Sequence, residues 1–173
     1  MQFLLMGLAA MLLNLQPRHG LPRLSDPVLV HAVVDGDTIN VQALGRVNLL
    51  GIEAPVIGHG ASTSAPFAIE AKARLTALVL NRWVRLETDT AHVGVTSHRV
   101  AYVLTEDGQF INARLVREGL ARVSARTPLA RLDELQRAER EAQETRRGIW
   151  GGTPQIPATG YTAPPVRVPK RPR

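Results

Sequence analysis

Apolar and polar positions alternate through residues 28–56, where Val33, Ile39, Val41, Val47 and Leu49 fall on period-two runs. Asp35-Gly36 and Leu44-Gly45 interrupt those runs with turn chemistry, so His31 to Val56 predicts two or three short strands joined tightly. Leu49 to Pro55 continues as an apolar strand that ends in Glu53 and a proline-fixed loop. The period then changes. Phe67, Ala71, Leu75, Leu78 and Val79 form a helical stripe, which predicts a helix capped by Ser64, with Pro66 in its first turn, ending near Leu80. Trp83–Glu87 and Val100–Leu104 read as further strands. Glu106-Asp107-Gly108 reads as a hairpin turn leading to Phe110-Ile111. Asn112 is expected to cap a short helix that Gly119 ends. Thr127-Pro128 opens a third helix with Leu129, Leu132, Leu135 and Ala142 on one face and Gly148 as its stop.

These elements divide the chain. Residues 1–15 are apolar and uncharged, shorter than the about 20 residues that span a bilayer. Their length suits a signal-peptide core or a short membrane anchor, although a positive leading region and a small-residue cleavage site are missing; a buried helix or a misplaced start is the other reading. The expectation is an exported or membrane-anchored protein with its domain on the periplasmic side, and membrane contact through residues 1–15. Residues 16–27 read as a linker and 28–150 as one domain. Residues 151–173, rich in Pro and Arg, read as a tail without core-forming pattern.

Composition narrows the chemistry. The chain has 173 residues, 45% hydrophobic and 21% charged, as expected of a globular domain. With no cysteine, disulfides, thiolate metal sites and a cysteine nucleophile are excluded. The net charge of +6 comes from 21 basic and 15 acidic residues. Four of the basic residues (Arg167, Lys170, Arg171, Arg173) lie in the acid-free tail, so that balance permits a nucleic-acid partner without indicating one.

Asp35-Gly36-Asp37-Thr38, followed by Val47-Asn48-Leu49-Leu50-Gly51-Ile52-Glu53-Ala54-Pro55, resembles the staphylococcal-nuclease-like (thermonuclease) family. That family's pattern is DGDT and then a strand of the type VRLLGIDAPE. The resemblance runs on through Glu70-Ala71, Ala101-Tyr102-Val103, Asp107-Gly108, Asn112, Leu115-Val116, Gly119-Leu120-Ala121 and Gly148-Ile149-Trp150. It implies an α+β fold, a five-stranded OB-type β-barrel with about three packed helices. It also implies a calcium-dependent phosphodiesterase in which two arginines steady phosphate and a glutamate acts near the attacking water.

Carried over position by position, the first arginine is Asn48, the glutamate is Val56, and the second arginine is His98, or Arg99 after a one-residue slip. Asp37 and Glu53 match the metal carboxylates, and the expectation is a weak calcium site there. The alternative for Asp37 is a turn residue bonding nearby backbone N–H groups. Arg46, two residues before Asn48 on the same strand face, could substitute for the missing cation or stand solvated. His92 and His98 read as loop histidines rather than a metal pair. The mixed charges over 131–147 read as a solvated, salt-bridged face. The function expected is a non-catalytic, nuclease-like binding or accessory module with a protein partner or membrane complex, nucleic acid remaining possible. The alternative is a divergent nuclease cutting DNA or RNA.

Overall fold

A computed structural model describes residues 23–58, 63–89, 99–125 and 128–154. The apolar N-terminal run, the tail beyond Pro154, His92, His98 and Thr127 lie outside the described residues. Two residues of the stretch read as a linker form β1 (Arg23–Leu24). The strands that follow are β2 (Val28–Val33), β3 (Thr38–Val41), β4 (Gly45–Leu49), β5 (Ile52–Glu53), β6 (Trp83–Thr88), β7 (Arg99–Thr105) and β8 (Arg122–Val123). Three helices complete the domain: α1 (Ala68–Val79), α2 (Ile111–Arg117) and α3 (Leu132–Glu144). None of the described helices is long and apolar enough to cross a membrane.

The sheet closes on itself. β2 pairs antiparallel with β3, β3 with β4, β7 with β6 and β6 with β2, while β4 and β7 run parallel. These five strands are the barrel expected from the sequence, and closure leaves them without a free edge pair to protect. β1 occupies the part of the β6 edge that β2 leaves open, with Arg23 opposite Thr88. The alternation of the sequence becomes an inside and an outside: Ile39, Val47, Leu49, Val84 and Val103 are buried, whereas Arg46 faces solvent.

Several boundaries depart from expectation. The run Leu49–Pro55 is not one strand, because Gly51 takes a left-handed turn (φ 79°) and redirects the chain so that β5 pairs with β8. A Cβ on Gly51 would stand 2.7 Å from methyls of both Leu129 and Leu135, so the chain bends where only a glycine fits against them. Helix α1 starts at Ala68 rather than at Ser64. Phe67, at φ 67°, precedes it, and the Ser64 hydroxyl instead accepts the Gly58 N–H at 3.1 Å.

Asn112 does not cap α2 but lies inside it, wholly buried. Its side chain donates to Leu50 O at 2.9 Å and accepts from Val103 N–H at 3.0 Å. A local capping signal has become a long-range tie between helix and barrel. Helix α3 begins at Leu132, four residues beyond Pro128, and ends at Glu144; Gly148 opens a separate 3-10 turn, Gly148–Trp150. The predicted apolar stripes hold: Ala71, Leu75, Leu78 and Val79 of α1 and Leu135 and Ala142 of α3 are buried.

Candidate functional site: a corner of the barrel at Asp37

Asp35-Gly36-Asp37 makes the turn between β2 and β3, and Thr38 begins β3. The turn is pressed against its neighbours: a Cβ on Gly36 would fall 2.6 Å from Ala54 Cβ and 2.7 Å from Ala71 Cβ. Only glycine allows the loop after β5 and helix α1 to close over it. That contact sets Asp37 beside Ala54, whose N–H donates to Asp37 Oδ2 at 2.8 Å. The Thr38 hydroxyl lies 2.9 Å from Asp37 Oδ1 and 3.4 Å from Asn48 Oδ1. With a single proton to give, it bonds the nearer. Asp37 N–H donates to Asp35 Oδ1 at 3.2 Å, and Leu49 N–H to Asp37 O at 2.8 Å.

Asp37 is thus a half-enclosed carboxylate with a donor on each oxygen. Burial pushes it up to about 6; the Ala54 N–H pulls the other way, and the neighbouring Asp35 carboxylate adds to the rise. A carboxylate raised by burial is one whose surroundings supply too little positive charge.

Among the described residues, the charge expected from the resemblance is missing at this corner. Asn48 is the cross-strand partner of Thr38 and is neutral. Arg46 shares its outward face, opposite Asn40, is exposed, and makes no ion pair among the described residues. Arg99 opens β7 beside Val47, also exposed. His98 and His92 fall outside the described residues. Val56 stands 70% exposed in the loop after β5 and has no atom that could take a proton.

Glu53 pairs in register with Arg122 of β8 and lines a groove of about 700 Å³ with it. No group of three or more His, Asp or Glu side chains able to hold a metal occurs among the described residues. Calcium takes about six to eight oxygens. The Asp37 oxygens already accept two donors, and no third carboxylate converges on them. The described side chains alone do not complete the shell such an ion takes.

Two polar clusters were not foreseen. In the first, Arg131, ahead of α3, donates to both oxygens of Glu87 at 2.9 and 2.7 Å and lies 4.8 Å from the Phe110 ring centre. Asp89 beside it accepts from Tyr102 Oη at 3.0 Å and from Ala130 N–H at 2.8 Å. In the second, the Arg122 guanidinium rests 4.7 Å from the Trp150 ring centre. Apart from the Asp89–Tyr102 bond, each joins residues 21 to 44 positions apart, so sequence spacing carries no sign of them. The arginines read as a solvated face include Arg131, which is held between elements instead.

The charge of the domain is also decided by position. All 15 acidic residues lie among the described residues, with 15 of the 21 basic ones; the other six are Arg18, Arg126, Arg167, Lys170, Arg171 and Arg173. The described body is therefore electrically neutral.

Comparison with known proteins completes the picture. Over 139 residues, 78% of the chain, it is 29% identical to the SPbeta prophage-derived endonuclease YokF of Bacillus subtilis (strain 168). It is 27% identical to endonuclease YncB of the same organism over a stretch of equal length. The match spans only 47% of the first relative and 66% of the second, so each has length without a counterpart here. The family model described as staphylococcal nuclease homologue matches residues 46–152, the run from Arg46 on β4 to the glycines after Trp150. Barrel topology, turn motif and family match agree, and the chain belongs to the staphylococcal nuclease homologue family.

Proposed function

We propose that this domain has kept the nuclease barrel, has lost the hydrolytic centre, and acts as a binding or accessory module. The observation that carries this reading is the Asp37 corner, where neutral Asn48 and apolar Val56 stand at the positions matching an arginine and a glutamate. Phosphodiester cleavage needs positive charge against the growing negative charge of the transition state. One well-placed arginine in a related phosphoryl-transfer setting contributes roughly 10³ to 10⁵ in rate. A general base contributes about 10² to 10⁴. Losing both leaves too little for turnover. The neutral body supports the same reading, because a phosphate backbone is held chiefly by excess cations.

The second reading is a divergent phosphodiesterase of DNA or RNA, and the observation favouring it is that both relatives are named endonucleases. One experiment separates the two. Purified protein is incubated with single-stranded DNA, duplex DNA and RNA in millimolar calcium, beside Asp37→Asn and beside the triple variant Asn48→Arg, Glu53→Asp, Val56→Glu. We expect no cleavage by the wild type and measurable calcium-dependent cleavage by the triple variant. Cleavage by the wild type that Asp37→Asn abolishes would restore the nuclease.

We also propose that residues 1–15 take the domain to the periplasmic side of a membrane and that its partner is a protein or membrane complex. The support is the uncharged apolar run before Arg18. Cell fractionation that recovers the full-length protein from the soluble cytoplasm alone would count against it.

A further inference from the structure

The groove beside the Asp37 corner is walled by Pro55, Val56, Pro66, Phe67 and Ile149, with Glu53 and Arg122 as its charged members. Its volume, about 700 Å³, lies within the range of ligand sites, roughly 300–1,000 Å³. Two features set it apart from an ordinary surface hollow. Val56 is one of only two large apolar side chains exposed among the described residues, the other being Leu24. Glu53 and Arg122 face each other across the β5–β8 pair yet form no ion pair, although side chains so placed come within about 5 Å at Cβ. Arg122 lies on the Trp150 ring instead, which leaves the Glu53 carboxylate without a hydrogen-bond or ion-pair partner among the described residues.

Resting on the binding-module reading, we infer that this groove binds an extended peptide segment of a partner protein, in which one basic side chain stands between apolar residues. Charge complementarity selects it. The basic side chain meets Glu53, the flanking apolar residues cover Val56 and Phe67, and a peptide carbonyl accepts from Arg122. A nucleic-acid strand would instead bring phosphates against Glu53 and an apolar rim with one cation to receive them. The groove thus takes the place of the hydrolytic centre as the working surface, and Val56, which ends catalysis at one position, supplies the apolar contact at the same position.

The probe is a fluorescein-labelled synthetic peptide, Pro-Pro-Val-Arg-Val-Pro, which has this chemistry and the order of residues 164–169 of the chain. Anisotropy is measured against the full-length protein, with melting curves to show that each variant is folded. We expect saturable binding that Glu53→Gln weakens about fivefold, the upper range for one exposed ion pair. Val56→Ser should weaken it about tenfold, from the lost apolar contact. A peptide with Glu in place of Arg should bind less well than either. Absence of binding, or binding indifferent to both groove substitutions, overturns the inference. Tighter binding to full-length Arg167→Glu than to wild type would show that the chain's own 164–169 segment fills the groove, which overturns the partner protein as occupant. The cleavage assay is run on the same preparations. Nuclease activity there would remove the underlying reading, whereas an inactive protein that ignores the peptide would remove only the groove.

Discussion

Two polar clusters sit on the same barrel and have opposite characters. At the Asp37 corner the acid is enclosed by backbone, hydroxyl and amide groups, and no cation among the described residues stands against it. At the head of α3 the buried Glu87 has a cation set directly against it. Arg131 grips Glu87 through two nitrogens, touches Glu134 at 3.1 Å and lies over Phe110, while Asp89 takes the Tyr102 hydroxyl and the Ala130 N–H. Glu87 and Asp89 are nearly as buried as the core leucines, and satisfied hydrogen bonds are what makes that tolerable. The difference separates two demands on one fold. Holding α3 against β6 and β7 is a requirement of folding, so the buried Glu87 there needs its arginine. The corner at Asp37 need not be complete for the barrel to close, and it can carry a neutral Asn48 without penalty to the architecture.

The comparison breaks first at Arg131. Arg131→Ala leaves Glu87 buried without its partner, and we expect a loss of about 3 kcal/mol of stability, measured by urea unfolding. Arg131→Lys should recover only part of it, since one ammonium cannot make the two-nitrogen grip. Equal stability of wild type and Arg131→Ala would mean that the cluster is a surface ornament like any exposed ion pair.

The Asp37 corner should respond with the opposite sign. Because burial raises Asp37 to about 6, the folded protein holds its proton more tightly than the unfolded chain does. Its contribution is fully present below about pH 4 and is lost as pH rises through about 6. The amount is about 2–3 kcal/mol, from roughly two pH units at 1.36 kcal/mol each. Asp37→Asn keeps an acceptor for the Ala54 N–H and removes the charge. It should therefore flatten the pH 4–7 part of the stability profile and raise stability at pH 7. A variant with the wild-type slope would show that Asp37 is not the group responsible.

The exposed pairs give the smallest effect and calibrate the other two. Glu141 takes Arg117 at 3.0 Å and Arg147 at 3.1 Å, with all three side chains more than two-fifths exposed. Arg117→Ala should change stability by no more than about 0.5 kcal/mol, and less in high salt. A loss as large as that of Arg131→Ala would erase the distinction between matched interior charges and solvated ones.

Much of this was legible from local pattern. The alternation around Ile39, Val47 and Leu49 gave strands because side chains two apart share a face, and the stripe through Ala71, Leu75 and Leu78 gave α1 for the corresponding reason. Asp37, Asn48 and Val56 could be placed at the corner because the turn and the strand after it carry a recognisable order of residues. Other assignments failed where a residue answers to a distant neighbour. Ser64 has the chemistry of a helix cap, but the chain turns at Phe67, and Ser64 serves Gly58. Asn112 has the same chemistry and spends it on Leu50 and Val103. Leu49 to Pro55 looks like one strand until the methyls of Leu129 and Leu135 are seen against Gly51.

By itself, then, the sequence determined the five barrel strands and three helices, the buried stripes and the absence of arginine and glutamate at positions 48 and 56, because each depends on residue type and short-range periodicity. Tertiary structure alone decided that Asp37 is enclosed beside Ala54, that Glu53 lines a groove with Arg122, and that Arg131 is a tie between elements. Those outcomes depend on groups 17 to 69 residues apart being brought together by barrel closure. A side chain's charge is written in the sequence, but its partner is chosen by the fold.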